Sequence, residues 1–176
     1  MAFPEPAPML TSRCARRSLL LLSLLAAASG LARADGWSHK GSVWTDSGGM
    51  SITLPAPFKI SEHGEVLTAE TGDGAVLTVT PAHSKADVQK VMAEADQVIE
   101  HYKVSMGPHH DGKRNGIEVT YAEGKFVMNE QPVAVTLAVF NRAQEYMVCQ
   151  LLLLKKASPK YTPVMKGVFG SISSTK

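Results

Sequence analysis

Tyr146-Met147-Val148-Cys149-Gln150-Leu151-Leu152-Leu153-Leu154 is apolar at every position except Gln150. A strand apolar on both faces must be covered on both faces, because successive side chains point to opposite sides. The run therefore predicts a buried strand with a layer on each side of its sheet.

Upstream of this run the pattern changes to strands that bury one face. Asn141 to Gln144 reads as a turn, and Pro132 to Phe140 as a long strand with Val133, Val135, Leu137 and Val139 on one face. Asn129-Glu130 is a turn after a short strand, Lys125 to Met128. Glu123-Gly124 is a turn after Ile117 to Tyr121, in which Ile117, Val119 and Tyr121 share a face. Lys103 to Gly107 leads into a polar stretch, Pro108 to Gly116, which reads as a loop.

Ser84 to Tyr102 is the clearest helix. Ser84-Lys85-Ala86-Asp87 fits a capping box, in which the serine oxygen satisfies an otherwise unpaired backbone N–H. Val88, Val91, Met92, Ala95, Val98, Ile99 and Tyr102 then recur at helical spacing. Before the helix lie short strands: Lys40 to Thr45, Met50 to Leu54, Phe58 to Ser61, Glu65 to Glu70, and Ala75 to Thr80 closed by Pro81. Asp46-Ser47-Gly48-Gly49, His63-Gly64 and Thr71-Gly72-Asp73-Gly74 separate them as turns. At the end of the chain Thr162 is placed to cap a helix with Pro163 in its first turn, followed by an apolar stripe of Val164, Met165, Val168, Phe169 and Ile172. Short connections favour antiparallel pairing. The expected class is α+β: one antiparallel sheet flanked by a mid-chain helix and a C-terminal helix.

Residues 1–34 have the form of a signal peptide. Arg13, Arg16 and Arg17 precede an apolar segment of 11 residues, Ser18 to Ala28, and Ala32-Arg33-Ala34 supplies a small-residue cleavage site before Asp35. A permanent membrane anchor needs about 20 apolar residues, so the segment is too short to be one. Arg16-Arg17-Ser18-Leu19-Leu20 resembles a twin-arginine core, whereas the strongly apolar segment suits the general secretory route. Met9 competes with Met1 as the start, and Cys14 precedes the apolar segment, where no lipoprotein acylation site lies. The expectation is a bacterial protein cut between Ala34 and Asp35, periplasmic or secreted, with residues 35–176 as one domain.

Cleavage changes the charge. The full chain carries 18 basic and 16 acidic residues. Four of the arginines and Glu5 belong to the leader, which leaves 14 basic and 15 acidic residues in a mature chain of 142. A near-neutral domain gives no reason to expect nucleic acid as a partner. One cysteine, Cys149, remains, so an intrachain disulfide is excluded, and its apolar surroundings mark it as a core residue. No second apolar run of spanning length follows the leader.

No local catalytic signature occurs. The histidines at 39, 63, 83, 101, 109 and 110 include no pair at the i, i+4 spacing of a helical zinc site. His109-His110-Asp111 is the densest cluster and the one metal candidate, but adjacent residues of an extended chain point to opposite sides. A solvated loop is the simpler reading. Gly72-Asp73-Gly74 is followed by a strand and not by a helix, so it reads as a turn and not as a phosphate cradle. Glu118, Glu123 and Glu130 read as surface charges, and the dispersed methionines as core filler. No cofactor is expected.

Met50-Ser51-Ile52-Thr53-Leu54-Pro55 with Phe58, the mid-chain helix, the hairpin series, and a closing helix ending in Val168-Phe169-Gly170-Ser171-Ile172 together resemble the PsbP-like and Mog-like domains, including small exported bacterial members. The resemblance spans about Ser42 to Ser173. It implies an α/β/α sandwich and a non-catalytic binding or assembly factor, with no catalytic residues to transfer. The leading expectation is a non-enzymatic module of the cell envelope with a protein partner. A small-molecule or lipid carrier with an apolar pocket beside the sheet is the alternative. A hydrolase with a site assembled from dispersed residues is the third.

Overall fold

Glu145–Leu154 forms a strand at the centre of a seven-stranded antiparallel sheet, as its two apolar faces require. The computed structural model describes residues 36–174. The expected leader and its expected Ala34/Asp35 junction lie outside the described residues.

The elements in chain order are β1 (Ser38–Lys40), β2 (Val43–Thr45), β3 (Met50–Thr53), β4 (Lys59–His63), β5 (Val66–Glu70), β6 (Ala75–Ala82), α1 (Lys85–His101), β7 (Ser105–Arg114), β8 (Ile117–Met128), β9 (Gln131–Arg142), β10 (Glu145–Leu154), a 3₁₀ turn (Lys155–Ala157), α2 (Ser158–Gly170) and β11 (Ser173–Ser174). The large sheet has the order β4-β5-β6-β10-β9-β8-β7, and a small sheet has the order β1-β2-β3-β11. The α+β class with a mid-chain and a C-terminal helix is as expected, and the architecture is mainly β. The second sheet was not foreseen, because its strands are only two to four residues long.

The register shows how β10 uses both faces. Cys149 sits opposite Val79 of β6 and Ala138 of β9. With Met147 and Leu151 it packs in one cluster with Met50 and Ile52 of β3, and with Met165 and Val168 of α2. Val148 points the other way and packs with Leu137 and with Val91 and Ala95 of α1. Gln150, the polar residue of the run, lies opposite Thr78. One face thus meets α1, and the other meets α2 together with the small sheet. Cys149 is wholly buried, and burial pushes its thiol far above the usual range, so it is a core residue and not a nucleophile.

Ser84 caps α1 as read: its Oγ accepts from Asp87 N at 3.2 Å and donates to Asp87 Oδ2 at 2.8 Å. Asn115 and Gly116, Asn129 and Glu130, and Ala143 and Gln144 all have positive φ, as tight hairpins between twisted strands require.

Several boundaries differ from the sequence reading. The stretch expected as a loop, Pro108 to Gly116, is mostly the edge strand β7, and His109, His110 and Asp111 lie within it. An edge strand pairs on one side only, so its side chains need no apolar pattern, and Pro108 is accommodated at a register shift between Met106 and His109. Glu123-Gly124 is not a turn: β8 runs unbroken from Ile117 to Met128. Its buried positions switch from Ile117 and Val119 to Ala122, Phe126 and Met128, since the strand passes from the α2 side to the α1 side of the core. Gly124 is needed because Ser105 O and Val135 Cγ1 both lie 3.0 Å from where a Cβ would stand. Lys40 to Thr45 is a hairpin, β1 and β2, turning at Gly41. Pro81 does not end β6, because it lies past the last residue paired to β5 and keeps a partner only in β10. Finally, α2 begins at Ser158, with Pro159 in its first turn and Pro163 inside the helix.

Polar contacts tie both ends of α2 to the sheet: Asn115 Nδ2, in the β7–β8 turn, donates to Gly170 O at 3.0 Å, and Asp73 holds the first turn. In the turn between β5 and β6, Asp73 Oδ2 accepts from Lys160 Nζ at 2.8 Å and Asp73 Oδ1 accepts from Tyr161 Oη at 2.6 Å. These two hydrogen bonds, Lys160 first, hold the Asp73 carboxyl down at about 2, against 3.8 ordinarily. A carboxyl lowered on folding stabilises above its unfolded value and loses that contribution as pH falls through its folded value. Asp73 is half exposed, so the contribution is discounted to less than about 1 kcal/mol. Asp73→Asn is expected to lower stability by that amount at pH 7, with the gap closing as pH falls from 4 towards 2. Urea denaturation of both proteins across that range measures it, and a gap unchanged at pH 2 would refute the assignment.

Candidate functional site

A cleft of about 370 Å³ opens between α2 and the large sheet. α2 packs over β10 and β3, which leaves part of β8 and β9 uncovered on the same face. Ala134, Thr136 and Ala138 line the cleft at alternate positions of β9, so small side chains keep the floor open. Val119, Tyr121, Phe140 and Leu151 complete an apolar floor, and Met165 and Phe169 of α2 form the wall. Phe140 and Phe169 stack with centroids 6.2 Å apart. The volume lies at the small end of the range for ligand pockets, and the mixture of apolar floor and polar rim is typical of them.

The rim is polarised. Arg114 lies opposite Ile117 in the β7–β8 register, and Glu123 stands six residues further along β8. At about 3.4 Å per residue this puts them roughly 20 Å apart, one at each end of the cleft. Arg114 Nη1 is 3.8 Å from the Cβ position of Gly170, and Lys166 is one helical turn back from that glycine on the same wall. Ser158 and Thr162 line the wall in the first half of α2. Neither Arg114, Lys166 nor Glu123 has an ion-pair partner among the described residues.

The metal candidate does not assemble. His110 lies opposite Tyr121, with ring centroids 5.2 Å apart, on the cleft side of the sheet. His109 and Asp111 alternate to the other face, where Asp111 Oδ1 accepts from Thr120 Oγ1 at 2.6 Å. Among the described residues no group of three His, Cys, Asp or Glu side chains is placed to hold a metal ion. Glu118, Glu123 and Glu130 are exposed and separate, and no two of them form an acid–base pair.

A polar cluster that the sequence did not reveal lies where the β2–β3 turn meets the large sheet. Glu145 Oε2 is 2.8 Å from His83 Nδ1, and His83 Nε2 is 3.5 Å from Ser47 Oγ. Beneath them Asp46 is 6 % exposed. Its Oδ1 accepts from Met50 N at 2.8 Å, while Oδ2 is buried without a partner. Burial raises the Asp46 carboxyl above its ordinary range, against the lowering effect of the Met50 hydrogen bond. Ser47, His83 and Glu145 come from three distant segments, and no local spacing links them. The turn Asp46-Ser47-Gly48-Gly49 was legible, but its seat on Glu145 was not. A Cβ at Gly48 would meet the Glu145 carboxylate, which would have to shift away.

No protein-family model matches the chain, and no curated protein matches it in sequence. Solved structures do resemble it in fold. Cyanobacterial PsbP (CyanoP) from Synechocystis sp. PCC 6803 is similar at TM-score 0.58 and 10% identity, covering 84% of this chain and 96% of that protein. LpqN of Mycobacterium tuberculosis, described as involved in cell envelope biogenesis, is similar at TM-score 0.50 and 14% identity, covering 81% and 91%. The fold is PsbP-like. At these identities the likeness extends to the fold alone. No helix among the described residues is long and apolar enough to cross a membrane.

Proposed function

We propose that this chain is a non-catalytic binding module of a bacterial cell envelope, exported by its leader, that holds a small amphipathic ligand in the cleft between α2 and the sheet. The cleft is the observation that carries this reading: an apolar floor, small residues that keep it open, and polar groups confined to the rim. The leader and the likeness to an envelope-biogenesis protein support the location. Of the expected functions, the structure favours the small-ligand reading over a protein partner, since a cavity of this size suits one small molecule.

Native mass spectrometry of protein purified without detergent from its own host tests the proposal. A species heavier than the apo chain, whose extra mass is lost on denaturation, is expected. A clean apo mass in every preparation would count against it.

One observation favours a serine hydrolase instead. Ser47, His83 and Glu145 follow the order of a catalytic triad, with Nε2 towards the hydroxyl and Nδ1 towards the acid. The Ser47 contact is at the outer limit of a hydrogen bond, and none of the three lines the cleft. A fluorophosphonate probe separates the readings. The binding-module reading expects no covalent label, and a label on Ser47 that is lost in Ser47→Ala would overturn it.

A further inference from the structure

We infer that the ligand of the cleft is an anionic amphiphile: an acidic head between Arg114 and Lys166, and an apolar chain lying over Ala138 towards Leu153. The inference rests on the reading of the cleft as the binding site and names what fills it.

Both cations stand at one end of the cleft, and neither is neutralised by a carboxylate among the described residues. Glu123 is the acidic residue of the lining, and it is at the far end. A separation of about 20 Å exceeds the screening length of about 8–10 Å at physiological salt, so it does not cancel their field. The last turn of α2 lies against Arg114, and the negative end of the helix dipole favours a cation at this mouth of the cleft. The guanidinium offers a planar fork of donors that matches a carboxylate or phosphate. Between the charged ends the surface is apolar, supplied by Val119, Phe140, Leu151 and Met165. A cationic head would meet two like charges. A fully polar anion would leave the floor without a partner. A volume of about 370 Å³ suits one chain and not a whole diacyl lipid.

The same chemistry is found in a free fatty acid and in one chain of an anionic phospholipid, so the experiment includes both. Calorimetric titration of the purified chain would use laurate, dodecyltrimethylammonium and dodecyl maltoside, which share one chain and differ in head charge. Laurate is expected to bind at least about tenfold more tightly than the ammonium. The double variant Arg114→Gln/Lys166→Gln is expected to lose at least about tenfold in laurate affinity and little in maltoside affinity. Lengthening the acid by two methylenes should tighten binding about tenfold, as chain burial requires. Thr136→Trp, at a half-buried position on the floor, should abolish binding of all three. Thermal melts of each variant confirm that the fold persists.

Equal affinity for laurate and the ammonium, or no loss in the double variant, overturns the anionic assignment and leaves the cleft standing. Unchanged binding in Thr136→Trp overturns the cleft itself. Flotation with phosphatidylglycerol vesicles separates the sources. Removal of lipid from the vesicle by the protein supports a membrane source, and laurate binding without it supports a free acid. Failure of both sources overturns the proposal.

Discussion

Tyr161→Ala is expected to cost about 3–5 kcal/mol and to lower the melting temperature by about 10 °C or more. Tyr161 is 2 % exposed and is among the largest fully buried side chains. Its ring packs in one cluster with Val98, Phe126, Leu152 and Leu154, and against Phe58 with centroids 6.3 Å apart. Truncation removes the transfer free energy of the ring and leaves a cavity that a sheet-backed site closes only in part. The Oη–Asp73 bond adds a polar tie at the same point. Tyr161→Phe keeps the ring and gives up that bond alone, at about 1 kcal/mol. Because α2 carries Met165, Lys166 and Phe169 on the cleft wall, Tyr161→Ala should also weaken any cleft ligand, whereas Tyr161→Phe should not. Urea denaturation of the two variants gives the comparison. A loss in Tyr161→Ala no larger than in Tyr161→Phe would show that the ring does not anchor the helix.

The second large effect is expected at Gly74. This residue has φ +118°, a conformation that costs a side chain of order 1–3 kcal/mol. A Cβ there would stand 2.8 Å from Leu154 Cγ and 2.9 Å from Leu154 Cβ. Leu154 is buried, and its N–H donates to Gly74 O at 2.8 Å, so it has little room to retreat. Overpacking of this kind costs about 1–3 kcal/mol more. Gly74→Ala is therefore expected to destabilise by about 2–6 kcal/mol. Gly72, two residues earlier in the same turn, has no positive φ and nothing within 4 Å of a Cβ. Gly72→Ala should be neutral or slightly stabilising, by limiting the unfolded chain. Equal melting temperatures for the two alanine variants would refute the distinction. The sequence marked Gly72-Asp73-Gly74 as one turn, and only the packing of Leu154 tells the two glycines apart.

Much of the fold could be read from local chemistry. The doubly apolar run at Tyr146 to Leu154 required a central strand, because each of its faces needed a covering layer. The capping serine and the helical spacing after Ser84 set α1 to within a residue. The proline-marked start of α2 was placed five residues late, because Pro163 and Pro159 offer the same signal and only the pull of buried Tyr161 selects the earlier one.

The candidate sites were less legible. His109-His110-Asp111 stood out because its residues are adjacent, and adjacency in a strand separates side chains to opposite faces. Ser47, His83 and Glu145 could not be paired in advance, since a turn, the end of a strand and the start of another bring them together.

What the sequence determined by itself is whatever depends on neighbours along the chain: the hairpin turns, α1, the buried nature of β10 and of Cys149, and the α+β class. What only the tertiary structure decided is whatever depends on a partner across space. Ser105 to Arg114 is a strand because β8 supplies its hydrogen bonds, and not because its own residues favour one. The cleft exists because α2 covers β10 and stops short of β8, and because the alternate residues of β9 beneath it are small. An element's periodicity encodes which face it buries, but not how far a neighbour extends over that face, and the empty space between them is where the ligand is proposed to lie.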